Sequence, residues 1–178
     1  ERLVGSEMCI RDRSKAAVNM GVKQTGAGSS YVDLAWDAQL GAGHYHTQFS
    51  QDGKNWIDMD NSSSPSESVY NLTQGASYYA RVVAYKGSHY TGTHVMIGVS
   101  ETAIVSTKPT EVSGLTQTAA GVNSVSMSWN ASAGAASYVI YGYINYNWTQ
   151  IGTSATNSAT ITGVAATTST RFSVAAVK

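Results

Sequence analysis

One pattern occurs twice in this chain, and it leaves little room for anything but strands. In residues 30–50, SYVDLAWDAQLGAGHYHTQFS, apolar and polar side chains alternate up to Trp36. A small polar turn follows, and Tyr45 opens the next run. Residues 123–143, NSVSMSWNASAGAASYVIYGY, repeat this with Trp129 and Tyr138 at the same separation. Alternation places successive side chains on opposite faces, so Val32, Leu34 and Trp36 share one buried face. A second pair of segments, LTQGASYYARVVA and VAATTSTRFSVAA, aligns Leu72 with Val164, Val82 with Val174 and Ala84 with Ala176. No stretch combines helical periodicity with helix caps. Short strands at regular spacing predict an all-β chain holding two copies of one sandwich unit. Pro109, in STKPTEV, blocks strand continuation and stiffens a short linker. It divides a first domain, 14–107, from a second, 108–178.

Between the landmarks, HYHTQFSQDGKNWIDM reads as two strands joined at Asp52-Gly53, with Tyr45, Thr47 and Phe49 facing inward. His44 and His46 then point outward into solvent. In SYYARVVAY, Tyr78, Ala80, Val82 and Ala84 share one face, which turns Arg81 outward with its head in water.

Composition narrows the role. Hydrophobic residues make up 42% and charged residues 12%, with no net charge. Soluble domains average about 25% charged residues. A neutral chain without a basic stripe excludes nucleic-acid binding as its main task. No apolar run reaches the ~18 residues of a membrane helix, so no membrane insertion is expected. The polar, Thr- and Tyr-rich, Lys-poor composition fits a secreted or wall-attached bacterial protein.

The segment ERLVGSEMCIRDR, residues 1–13, stands apart. It is dense in charge and holds Cys9, the one cysteine of the chain. SEMCIRDR resembles translated sequencing-adapter DNA, so residues 1–13 read as a non-native or disordered tail. One cysteine excludes an intrachain disulfide and a Cys-based zinc site.

Taken in order, these residues resemble the fibronectin type III family, over nearly all of Val22 to Lys178. The family pattern has a Trp closing the second strand, matched by Trp36 and Trp129. It has a Tyr in the third strand, matched by Tyr45 and Tyr138. Leu72, Tyr78, Arg81, Val82 and Ala84 fit its Leu, Tyr and Arg-Val-x-Ala series. Gly98 and Ser100 fit the entry to its last strand. The resemblance implies two immunoglobulin-like β-sandwiches in tandem. Their structural core would be Trp36, Tyr45, Leu72, Tyr78, Trp129 and Tyr138. Tyr78 would be a tyrosine corner, bonded to backbone near Leu72. The second copy carries Thr170 at the corner position. It also ends directly after the strand equivalent to ARVVAYK, which predicts an incomplete second domain without its last strand, in a fragment of a longer protein.

Chemistry is sparse. No Gly-x-Ser-x-Gly elbow marks a nucleophile. Asp58 and Asp60, two apart on a strand, would lie side by side on a flat face and not across a cleft, unlike a glycosidase pair. His44 and His46 offer two imidazoles without a visible third ligand, while His89 and His94 sit elsewhere in a loop-like segment. DMDNSSS lacks calcium-loop spacing. No enzyme activity, cofactor or metal is therefore expected. The distinctive surface is YVIYGYINYNW. Tyr141 and Tyr143 face outward, and Tyr146 and Trp148 lie at the turn and the next strand. Such aromatics either stack on a ligand or pair across strands to stabilise the sheet. The expected role is a spacer or presentation module in a larger extracellular protein, whose partners are neighbouring domains of the same polypeptide. The alternative is direct binding of a polysaccharide or surface protein through Tyr141, Tyr143, Tyr146 and Trp148.

Overall fold

The computed structural model describes residues 17–87, 94–164 and 170–178. The tail at residues 1–13 and its Cys9 lie outside them, as does His89. The described residues contain fourteen strands and no helix. Hence none of them forms a helix long and apolar enough to cross a membrane. They divide into two compact units. The first draws on residues up to Thr25, Asp33–Val69 and Tyr78–Val105; the second draws on Gly26–Val32, Tyr70–Ser77 and Ser106–Lys178.

The first eight strands are β1 (Lys23–Ala27), β2 (Val32–Ala35), β3 (His44–Ser50), β4 (Ile57–Ser62), β5 (Ser66–Val69), β6 (Ser77–Lys86), β7 (Val95–Val99) and β8 (Ala103–Ser106). They form a sheet of order β1-β2-β5 and another of order β4-β3-β6-β7, with β8 also on β6. The alternation in the sequence is what the sheets bury. Val32, Leu34 and Trp36 are at most 5% exposed, and so are Tyr45, Thr47 and Phe49. Tyr78, packed edge-on to Phe49, is buried, as are Ala80, Val82, Ala84 and Leu72.

Two local expectations change. Asp52-Gly53 is a turn, but not a two-residue hairpin, because β3 ends at Ser50 and β4 begins only at Ile57. Asp52 builds the longer loop by accepting backbone N–H bonds from Lys54 and Asn55, and Gly53 supplies φ +70°. Asp58 and Asp60 do not share a face either. A bulge pairs Asp58 with Gln48 and Asp60 with Thr47, leaving Met59 unpaired. Gln48 and Thr47 are adjacent on β3, and adjacent residues face opposite ways.

The later strands are β9 (Thr116–Ala120), β10 (Ser124–Ser128), β11 (Ser137–Ile144), β12 (Asn147–Ser154), β13 (Ser158–Thr162) and β14 (Phe172–Val177). Their sheets have orders β13-β10-β9 and β12-β11-β14. One cluster joins the two sheets. Met127, Trp129 and Ile161 come from the first and its flank, Tyr138 and Ile140 from the second.

The two cores repeat a single device. Trp36 and Tyr45 meet edge-on, with ring centroids 5.4 Å apart and planes at 67°. Trp129 and Tyr138 do the same at 5.3 Å and 67°. Each Tyr hydroxyl then accepts a backbone N–H from the turn before its own strand, Gln39 to Tyr45 and Ser132 to Tyr138, both at 3.0 Å. A buried phenol needs such a partner, and the intervening turn supplies it.

Candidate functional site

The aromatic surface lies on the hairpin of β11 and β12. Ile144 pairs with Asn147, leaving a two-residue turn, Asn145-Tyr146, with φ of +49° and +64°. Two positive φ values mark the primed turn that matches strand twist. Asn tolerates that region readily, whereas a bulky residue such as Tyr is strained there. Tyr146 occupies it nonetheless and is 90% exposed.

Tyr143 stands directly opposite Trp148, so the two share a face. Their centroids are 5.3 Å apart at 58°. They are 36% and 51% exposed. The Arg171 guanidinium carbon lies 6.0 Å from the Tyr143 centroid, which is the outer limit for cation–π attraction. Tyr141 lies two residues from Tyr143 on the same face, half-buried, opposite Gln150. Among the described residues, neither Tyr141 nor Tyr146 makes a ring contact with the Tyr143–Trp148 pair. The strip is thus one cross-strand pair, a flanking ring at Tyr141, and an isolated exposed ring at the tip. This arrangement can stack on flat apolar faces but holds no acid–base pair.

The outer face of the β4-β3-β6-β7 sheet holds a network that residue spacing did not reveal. The Arg81 head is not free in water. Its carbon lies 4.0 Å from the Trp56 ring centroid, and its Nε donates to Gln48 Oε1 at 2.8 Å. Gln48 Nε2 in turn donates to Asp58 Oδ1 at 2.6 Å. Burial lowers the Arg81 pKa, with Asp58 and Tyr85 opposing that shift. Burial also raises the Tyr85 pKa; Asp58 adds to this and Arg81 opposes it. Tyr85 is therefore a neutral ring at neutral pH.

The network continues to the histidines. His46 Nδ1 lies 4.0 Å from Asp58 Oδ1. His44 is not solvent-exposed as expected; it is 4% exposed, and its ring stacks on Tyr85 at 5.2 Å and 9°. His94, just before β7, packs edge-on against both His44 and Tyr85. Sequence could not join His94 to His44 and His46, because only the β3-β6-β7 pairing brings them together. The strongest advance signal was the i, i+2 spacing of His44 and His46.

No family model matches this sequence, and no curated protein does. Among solved structures, the chain is similar to a two-domain fibronectin type III segment from chicken tenascin. That match has 13% identity, covers 88% of this chain and 97% of that one, and has a TM-score of 0.46. It is also similar to the chicken CNTN1 FN1–FN3 domains, at 14% identity, 91% and 62% coverage and a TM-score of 0.45. A human domain, from fibronectin type III domain containing protein 3, matches at 18% identity, 55% and 94% coverage and a TM-score of 0.40.

Proposed function

We propose that the chain is a non-catalytic pair of fibronectin type III-like modules from a larger extracellular or cell-surface bacterial protein, and that it spaces and presents neighbouring domains. One observation carries this reading: what the chain duplicates is scaffold. The Trp–Tyr contact and its hydroxyl bond recur in both copies. The outer surfaces do not recur, since one carries His44, His46 and Gln48 where the other carries Ser137, Val139 and Tyr141. A repeated core with unrelated surfaces fits a part kept for its shape.

A second reading, direct binding of a glycan or protein through Tyr141, Tyr143, Tyr146 and Trp148, is favoured by Tyr146. A strained, exposed tyrosine persists only where something compensates its cost. Affinity electrophoresis in a panel of soluble polysaccharides separates the readings. A spacer migrates unretarded in every gel. Retardation that Tyr143→Ala abolishes would establish glycan binding. Tyr146→Gly sharpens the test, because it relieves the strained turn and should stabilise the fold by about 1 kcal/mol. Loss of retardation in that variant cannot then be ascribed to unfolding.

A further inference from the structure

We propose that the open edge of β14 is an acceptor site for an extended peptide strand of a partner polypeptide, a site independent of the spacer reading. The first domain holds such a strand at the equivalent edge, and three observations carry the likeness over to the second.

The first is register. β6 pairs with β3, setting Ala84 opposite Tyr45 and Val82 opposite Thr47. β14 pairs with β11, setting Ala176 opposite Tyr138 and Val174 opposite Ile140. Because Tyr45 and Tyr138 hold the same place in their cores, β14 is the counterpart of β6. The far edge of β6 is covered by β7, where Val99 and Gly98 pair with Val83 and Ala84. β14 ends its sheet, and among the described residues no strand pairs with its far edge.

The second is exposure. Ala80, Val82 and Ala84 on β6 are 0% exposed. At the matching places on β14, Phe172, Val174 and Ala176 pack against their own core yet remain half-buried. Beside them runs a groove of about 360 Å³, lined by residues 108–112 and 174–176. A strand laid in it would take this apolar surface out of water and pair the backbone groups of the edge.

The third is the form of the occupant. In the first domain the strand end is held from both sides. The Ser100 N–H donates to the Val82 carbonyl at 2.8 Å, and the Val18 N–H donates to the Val99 carbonyl at 2.7 Å. Val18 lies just before β1, as residues 108–112 lie just before β9. Val174 keeps the register of Val82, so its N–H and C=O face the groove. The groove therefore has both walls of the first-domain slot. A strand bonded on both sides must bring two free edges. The edge strand of a second copy has only one, so the fitting occupant is an extended segment that belongs to no sheet. Its inward side chains must be small, as the buried Gly98 and Ser100 are. Main-chain bonds then supply the affinity.

The test is an NMR titration of the full chain with a synthetic peptide of residues 95–101, VMIGVSE, as the probe strand. The expected result is saturable binding that moves the amide signals of Val174–Ala176 and of residues 110–112 together and slows hydrogen exchange at the Val174 N–H. The same peptide carrying Ser100→Pro lacks the N–H that bonds the Val82 carbonyl in the first domain, and should bind at least tenfold more weakly. No saturation by about 1 mM peptide, shifts confined to β6, which would mean exchange with β7, or equal binding of the proline peptide would each overturn the proposal. So would self-association of the chain without peptide that moves the same β14 signals, because the occupant would then be a second copy.

Discussion

At the scale of single residues, small polar side chains replace missing backbone partners. Asp52 holds the β3–β4 loop by accepting the backbone N–H groups of Asn55 and Lys54, with Ser50 and the Asn55 side chain also bonded to it. The Asn55 and Lys54 bonds, the largest causes, hold its carboxyl far below the usual carboxylate range. Because the folded value lies below the unfolded one, about 3.9, the charged form favours folding above that pH. This contribution fades as acid protonates the carboxylate. An NMR titration of the Asp52 carboxyl carbon should show no midpoint near pH 4, and a midpoint there would contradict the hydrogen-bonding account. Aspartate before glycine announced a turn in the sequence. Its capture of four donors depends on the path of the loop, which residue spacing does not specify.

At the scale of elements, strand positions were legible where alternation was uninterrupted, as in β2, β3, β6, β10 and β11. They were less so at bulges, where one extra residue reverses the facing of every later residue in the strand. The Met59 bulge separates Asp58 from Asp60 in this way. Another interruption divides β7 from β8. Ser100 is buried there and donates its N–H to the Val82 carbonyl at 2.8 Å. Its hydroxyl accepts the Val82 N–H at 2.8 Å and donates to the Glu101 carbonyl at 2.7 Å. The side chain thus stands in for a ladder acceptor on β6. Ser100→Ala should leave the Val82 N–H buried without that acceptor and cost about 1–3 kcal/mol in urea unfolding. Amide exchange at Val82 should quicken as well. Wild-type stability with unchanged exchange would mean that the hydroxyl is dispensable. The aromatic hairpin was legible as outward-facing rings. The strain at Tyr146 was not, since a two-residue turn ending in Tyr is an exception to the Asn-Gly rule.

Across the whole molecule, one core device is repeated. The sequence pointed to two copies through Trp36/Tyr45 and Trp129/Tyr138, and the structure gives each pair the same ring geometry and the same hydroxyl bond. The outer-face cluster was hidden because its members, His44, His46, Tyr85 and His94, come from three segments joined only by sheet pairing. The most direct test of the repeated scaffold is urea unfolding of the full chain carrying Tyr45→Phe or Tyr138→Phe. Each change removes one hydroxyl bond, to Gln39 or to Ser132, while keeping the ring against its tryptophan. Each should therefore lower stability by a similar amount, about 0.5–1.5 kcal/mol, with the ring contacts retained. If one substitution is costly and the other has no effect, the two cores do not share a device, and the claim that the chain duplicates its scaffold fails.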